Sequence, residues 1–363
     1  MSSASALPSP FMLAEGSALV RAEGTLTPVT EEQALAVARQ KNSAVVGLIP
    51  FDPHAPAHLA VPERLVREQA PARVGQQPAQ PPASSLSGVD NPGYRQAVAQ
   101  AVSLINRGLL DKVVLARLVE ATFDADLHLG ALFETLRVQQ ARATVFAAQL
   151  PNQNYLMGAS PELVVRTDES GIRTVPLAGS AARTEEPGTT DDAQGGEQLL
   201  RSAKDRAEHA TVVRDIEQRL TPLTTRLHVP AVPSLLSTPQ LWHLSTPVTG
   251  ELNPGVTSLH AARAIHPTPA ICGTPRGVAQ QLIAELEPFE RGFFGGLVGY
   301  MDARGYGSWY LVLRCAEVGQ RSATLFAGAG IVKDSVPARE HHETAVKLAT
   351  FGRALGVELV GSL

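Results

Sequence analysis

An arginine, two glycines and three charged helical side chains fall within residues 310–347, and their spacing sets the chemistry open to them. The runs Tyr310-Leu-Val-Leu-Arg-Cys-Ala-Glu317 and Ala323-Thr-Leu-Phe-Ala-Gly-Ala-Gly-Ile-Val332 are rich in β-forming residues and flank the turn-forming Val318-Gly-Gln-Arg-Ser322, which predicts an antiparallel hairpin. Alternation along the first strand puts Tyr310, Val312 and Arg314 on one face. A guanidinium among apolar neighbours is costly to bury without an anion, so Arg314 calls for a carboxylate partner. Gly328 and Gly330 share a face of the second strand, where missing side chains let another molecule approach the backbone. After Asp334-Ser-Val-Pro337, a polar cap and an early proline, a helix carries Glu340, Glu343 and Lys347 on one face. Stacked carboxylates either repel or share a hard cation such as Mg2+, and the same spacing also occurs on solvated helix faces with a plain Glu343–Lys347 pair.

Further positions have chemical potential, each with a structural alternative. Lys112 shares a strand face with Val114 and Ala116, where desolvation favours the neutral amine and hence a base; on an edge strand the same lysine only discourages aggregation. Glu162 follows Pro161 at a strand junction, where a dry pocket makes it a proton donor and a wet turn leaves it inert. Glu208, in Lys204-Asp-Arg-Ala-Glu-His209, is either a ligand or part of a charged helix surface. His243, between Trp242 and Leu244, is either reactive or a satisfied core histidine, and Gly179-Ser180 reads as a turn. There is no nucleophile elbow, P-loop, zinc spacing or dinucleotide fingerprint. Taken singly, these residues support an acid/base enzyme with a hard metal.

The 363 residues are 44% hydrophobic with a net charge of -4, enough to bury a large core and without the basic block that a nucleic-acid or anionic-membrane partner needs. Cys272 and Cys315 lie in apolar segments without metal-ligand spacing and read as buried thiols. Residues 1–20 lack a secretory pattern and no segment has the length of a membrane span, so a cytoplasmic location is expected.

The elements that must position these groups follow in order. Strands are expected at 17–23 and 44–50 around a helix at 30–41, then a Pro-rich surface connection over 51–86. A helix leads from Asn91 through Leu104, a β-branched strand covers 111–117, and a hairpin covers 144–150 and 154–158. Beyond strands at 163–167 and 171–183 lies an exposed, mobile-looking segment to Gly196, then one long helix over 197–220. Strands at 241–246 and 247–250, helices at 260–265 and 276–286, and a glycine-rich strand pair at 292–301 complete the series. Irregular alternation of strands and helices points to an α+β fold with mostly antiparallel sheets.

In this order, Asp111-Lys-Val-Val-Leu-Ala-Arg117, Met157-Gly-Ala-Ser-Pro-Glu162, Pro176-Leu-Ala-Gly-Ser180, Lys204-Asp-Arg-Ala-Glu-His209, His266-Pro-Thr-Pro-Ala-Ile-Cys-Gly273, Leu311-Val-Leu-Arg-Cys315, Ala327-Gly-Ala-Gly-Ile331 and Glu340-His-His-Glu-Thr-Ala-Val-Lys347 together resemble the chorismate-utilising enzymes, most of all the isochorismate synthases of siderophore pathways. The resemblance covers about residues 91–352, which become the chorismate-binding core (91–363), with 1–90 as a variable part packed on it. It implies two stacked, mostly antiparallel sheets flanked by outer helices, with the active site in a deep cleft. It also implies a Mg2+ enzyme in which Lys112 activates water for attack at C2 of chorismate and Glu162 protonates the departing C4 hydroxyl. Glu208 and Glu343 match metal ligands with Glu340 beside them; Arg314, Gly328, Gly330 and Lys347 match the grip on the substrate, with Ser180, His243 and Ala270 also lining its site.

Sibling activities differ at one readable position. Salicylate, anthranilate and aminodeoxychorismate synthases usually carry threonine where this chain has Ala270, and a methyl cannot hydrogen-bond substrate or nucleophile. Aminating siblings also work with a glutamine amidotransferase, and the N-terminal stretch here lacks an amino-acid feedback site, so no amidotransferase is expected; the chain is also expected to be a monomer. A non-catalytic chorismate-binding protein should have lost Lys112, Glu162 or a metal carboxylate, and all are present.

Overall fold

The computed structural model describes residues 7, 9–69, 77–183, 190–237 and 241–359. The chain opens with β1 (Phe11–Glu15) and β2 (Ala18–Val29), followed by α1 (Glu31–Gln40), β3 (Ala44–Ile49), β4 (His58–Gln69) and β5 (Ala83–Ser87). Then come α2 (Pro92–Asn106), β6 (Lys112–Phe123), α3 (Leu129–Gln139), β7 (Thr144–Gln149), β8 (Tyr155–Ser160), β9 (Leu163–Asp168), β10 (Gly171–Thr174) and β11 (Leu177–Ala182). The middle holds α4 (Thr190–Arg201), α5 (Ala203–Leu220), β12 (Thr224–His228), β13 (Ser234–Ser237), β14 (Leu241–Ser245) and β15 (Val248–Leu252). The last third is α6 (Ser258–Ile265), β16 (Gly273–Thr274), α7 (Arg276–Leu286), β17 (Leu297–Asp302), β18 (Gly307–Leu311), β19 (Cys315–Val318), β20 (Ser322–Ile331) and α8 (Pro337–Leu355).

Seventeen strands join in one sheet. Neighbours run β12–β15–β10–β9–β18–β17–β3–β4–β2–β1–β7–β8–β19–β20–β6, every pairing antiparallel, and β5 and β16 share the far edge of β6. The sheet folds over on itself, so the inner faces of β1, β3, β7 and β17 meet through Phe11, Leu13, Leu48, Phe146 and Val298. Outside, α1, α2 and α5 to α7 pack on one surface, and α3 and α8 cover β7, β8, β19 and β20. The expected stacked layers with outer helices are thus present, hydrogen-bonded to each other through β1. A separate small sheet, β11–β14–β13, lies apart.

Local structure departs from the sequence reading where tertiary contacts win. The Pro-rich stretch contains β4, a full partner of β2 that buries Leu59 and Val61, because a long neighbour supplies the hydrogen bonds its composition argues against. The helix expected at 197–220 is two: α4 begins at Thr190, and Ser202 opens α5 by accepting the Asp205 amide hydrogen. Of the segment expected to be exposed and mobile, residues 184–189 lie outside the described residues, and the remainder is helical. The strands expected around Pro247 belong to different sheets. In 292–301 only β17 is a strand, since Gly292 and Gly295 turn the chain with positive φ. The cap of α8 is Val336, without a side-chain hydrogen bond, while Ser335 bonds back to the Val332 amide.

Arg314 is the most consequential departure. The chain breaks between β18 and β19, and Arg314 sits in the break with φ 48° instead of on a strand face. Only the second half of that run, β19, forms the expected hairpin with β20. The first half, β18, pairs with β9 and β17 in the other layer.

Candidate active site

Two crossings of the chain between the layers lie side by side. β8 pairs with β19 and β9 pairs with β18, so both chains pass from one layer to the other between these pairings, at 161–162 and at 312–314. Glu162 and Arg314, two of the residues singled out from sequence, lie in those crossings. They are tied by backbone bonds, Ala159 N–H to Arg314 O at 3.2 Å and Leu311 N–H to Glu162 O at 3.0 Å. Burial pushes the Glu162 carboxyl up to about 7. Burial also holds the Arg314 guanidinium below its ordinary value, with the Glu343 carboxylate acting in the opposite sense. Glu343, whose direct partner is Lys347, is thus near enough to act on Arg314 through its charge.

The floor comes from β6 and β20. Gly330 pairs with Val114 and Gly328 with Ala116, so two glycines lie beside the face that carries Lys112. A methyl on Gly330 would stand 2.9 Å from Lys112 Cε, and one on Gly328 would stand 3.2 Å from the Leu115 carbonyl oxygen. The lysine stem fills the space above one glycine. Its Nζ donates to Glu208 Oε1 at 2.7 Å, the lysine 18% and the glutamate 34% exposed. Lys112 is thus no free edge lysine, and the solvated-surface alternative for Glu208 gives way to a partly buried ion pair.

At the other glycine, Lys347 Nζ donates to Gly328 O at 2.8 Å and meets Glu343 Oε1 at 2.6 Å. Burial lowers the Lys347 ammonium from its ordinary value while Glu343 raises it. Glu340, one turn earlier, is raised by burial first and by the Glu343 carboxylate in addition, with a Ser335 hydrogen bond opposing. Ala270 sits half-buried in the loop before β16, whose Cys272 O accepts from Val114 N–H at 2.8 Å. The loop therefore borders the Lys112 strand.

Ser180 and His243 are paired across β11 and β14 in the small sheet, which α5, the helix of Glu208, packs against. The Ser180 side chain lies outside the described residues; burial lowers the His243 imidazole. Sequence reasoning passed over the residues that hold the site elements in place. His209, directly after Glu208, donates from Nδ1 to Ala178 O (3.1 Å) and so accepts at Nε2 from the Thr246 hydroxyl (2.7 Å), clamping α5 to β11. Arg117, fully buried on the opposite face of β6 from Lys112, donates to Thr344 Oγ1 at 2.8 Å and to Gly88 O at 2.8 Å, which fixes α8 next to Glu343. Alternation along β6 was the available signal, because it sends an arginine outward into the helical layer.

Among the described residues no group of three or more His, Cys, Asp or Glu side chains is close enough to hold a metal ion. The donor chemistry nonetheless suits a hard divalent cation. Glu340 and Glu343 are neighbouring carboxylates on α8, the second adding to the raised proton affinity of the first, and Glu208 and Glu343 each already hold a lysine cation.

Comparison with known proteins places the chain. The model of the chorismate binding enzyme family matches residues 39–356, and the chain belongs to that family of enzymes. It is 42% identical over 328 residues to the isochorismate synthase EntC of Escherichia coli (strain K12), covering 87% of this chain and 82% of that one. It is 39% identical to the vibriobactin-specific isochorismate synthase of Vibrio cholerae, covering 88% of this chain and 80% of that one. The crystal structure of a protein titled putative 2,3-dihydroxybenzoate-specific isochorismate synthase, DhbC, from Bacillus anthracis superposes with a TM-score of 0.85 at 37% identity over 96% of both chains. The resemblance drawn from the eight sequence segments is borne out. Among the described residues no helix is long and apolar enough to cross a membrane.

Proposed function

We propose that this chain is an isochorismate synthase that converts chorismate to isochorismate, supplying siderophore formation. The observation that carries the reading is the pairing of two glycines of β20 with the face of β6 that carries Lys112, which leaves backbone without side chains beside an amine. Lys112 acts as the base that takes a proton from the water attacking C2. As the ammonium paired with Glu208 it cannot accept one, so Lys112 acts as base only after giving up a proton, to the Glu208 carboxylate or to solvent. Glu162, whose carboxyl is held near 7 by burial, gives its proton to the C4 hydroxyl as it leaves. Arg314, the Gly328 and Gly330 backbone and Lys347 grip the enolpyruvyl carboxylate, with Ala270, His243 and Ser180 bordering the ring.

Glu208 and Glu343, with Glu340 beside them, would hold Mg2+, which when bound supplies positive charge to the ring carboxylate. The core spans 91–363 with the first ninety residues packed on it, and the protein works as a monomer in the cytoplasm without an amidotransferase. Methyl-bearing Ala270 disfavours the sibling reactions.

The test is an NMR time course of purified protein with chorismate and Mg2+, without ammonia, glutamine or a partner. Isochorismate reaching equilibrium with chorismate and no stoichiometric pyruvate is expected, and Lys112→Ala should abolish the conversion while chorismate binding persists. Salicylate with matching pyruvate, or an unchanged spectrum, would overturn the reading.

A further inference from the structure

The far edge of β6 is incomplete. β16 pairs only with Lys112 and Val113, and β5 pairs only from Glu120 onward. Val114 N–H still meets Cys272 O, but among the described residues no strand covers the Val114 carbonyl or the Ala116 amide, groups of the two residues that follow Lys112 on its face. Two side chains do so instead. Glu287 Oε1 accepts the Ala116 amide hydrogen at 2.7 Å, and Arg291 Nη2 donates to Val114 O at 2.6 Å. The pair closes on itself, with Arg291 Nε donating to Glu287 Oε2 at 2.8 Å. The remaining arm of the fork, Nη1, donates to Ile271 O at 3.1 Å, next to Ala270.

Both side chains are buried, at 2% and 3% exposure, and the guanidinium carbon lies 4.3 Å from the centre of the Phe51 ring. Burying an ion pair is costly, and apolar residues of the same volume serve stability equally well or better. Apolar residues could not bond Ala116, Val114 and Ile271, however. A planar fork with fixed donor directions sets the distance between the groups it joins.

We infer that Glu287 and Arg291 are positioning residues for the reaction: they stand in for a missing strand and fix the separation between the Lys112 strand and the loop that carries Ala270. This rests on the reading of Lys112 as the base. Neither residue need touch substrate, so disturbing the pair should move the amine relative to the ring without weakening the grip on the carboxylates.

Arg291→Lys keeps the charge and loses the fork. It should lower kcat roughly 10- to 100-fold, the cost of misplacing a reacting group by about 1 Å. Chorismate affinity, measured by calorimetry with Mg2+ in a Lys112→Ala background, should stay within about threefold when Arg291→Lys is added, as expected when only turnover depends on the pair. If Arg291→Lys does not fold, Glu287→Gln keeps an acceptor for Ala116 and should show the same split. Unchanged kcat, or affinity lost in proportion to kcat, would overturn the inference. Full turnover by Lys112→Ala alone would instead refute the base reading, so the two failures are told apart.

Discussion

Gly330→Ala separates catalysis from stability. The new methyl would stand 2.9 Å from Lys112 Cε and 3.5 Å from Nζ. An ordinary carbon contact is about 3.5–4.0 Å, so the end of the lysine must retreat by about 1 Å. That retreat removes Nζ from its 2.7 Å bond to Glu208 and from its place over the floor. A displacement of this size costs roughly 100-fold in rate, about 2.7 kcal/mol of barrier. The fold should not suffer, because the crowded atom is the free end of a flexible side chain and Gly330 does not have positive φ. Alanine in a strand interior is favoured over glycine by about 0.5–1 kcal/mol, which sets the sign of any stability change. The assay is kcat by product chromatography beside a thermal melt. Turnover within threefold of the parent at unchanged Tm would refute the placement of Lys112 over Gly330. Gly328→Ala crowds the Leu115 carbonyl instead and leaves Lys112 untouched, so its effect should fall on KM.

Two further outcomes follow from buried groups. With Glu162 held near 7, activity that needs its proton should fall as pH rises through about 7, and Glu162→Gln should be slower by roughly 100- to 10,000-fold and lack that limb. The same raised value makes wild-type stability fullest below the ordinary 4.5 and lost as pH rises through about 7; melts across this window should decline for the wild type and stay flatter for Glu162→Gln. His209→Ala strands the buried Thr246 hydroxyl and the Ala178 carbonyl, a loss of about 1–3 kcal/mol readable from the urea midpoint.

The parts of this molecule that were legible from sequence are those fixed by local pattern. Alternation over 111–117 placed Lys112, Val114 and Ala116 on one face, and two glycines two positions apart announced the bare floor. Helical spacing brought Glu343 to Lys347, and α7 begins and ends where its pattern does. Illegible parts depend on partners distant in sequence. Arg314 reads as one more strand residue, because nothing nearby reveals that its strand divides between two layers there. β4 is hidden by Pro62 and its Pro-rich surroundings and revealed only by its partners β2 and β3. Glu287 and Arg291 look like an ordinary charged pair beside Pro288, because their partners are backbone groups of a strand that precedes them by nearly half the chain.

The pairing of β6 with β20 also governs when activity can arise during synthesis. Lys112, Glu162 and Glu208 leave the ribosome long before the glycines, Arg314 and Lys347 that complete their surroundings. Until β20 arrives, β6 has an open edge and its lysine has no floor. Pairing strands so distant along the chain is slow and leaves edges exposed to wrong partners, which makes this the step most in need of protection in the cell. A fragment ending before β20 would lack both glycines and Lys347 and would present an unpaired strand where the finished protein has β6 joined to β20.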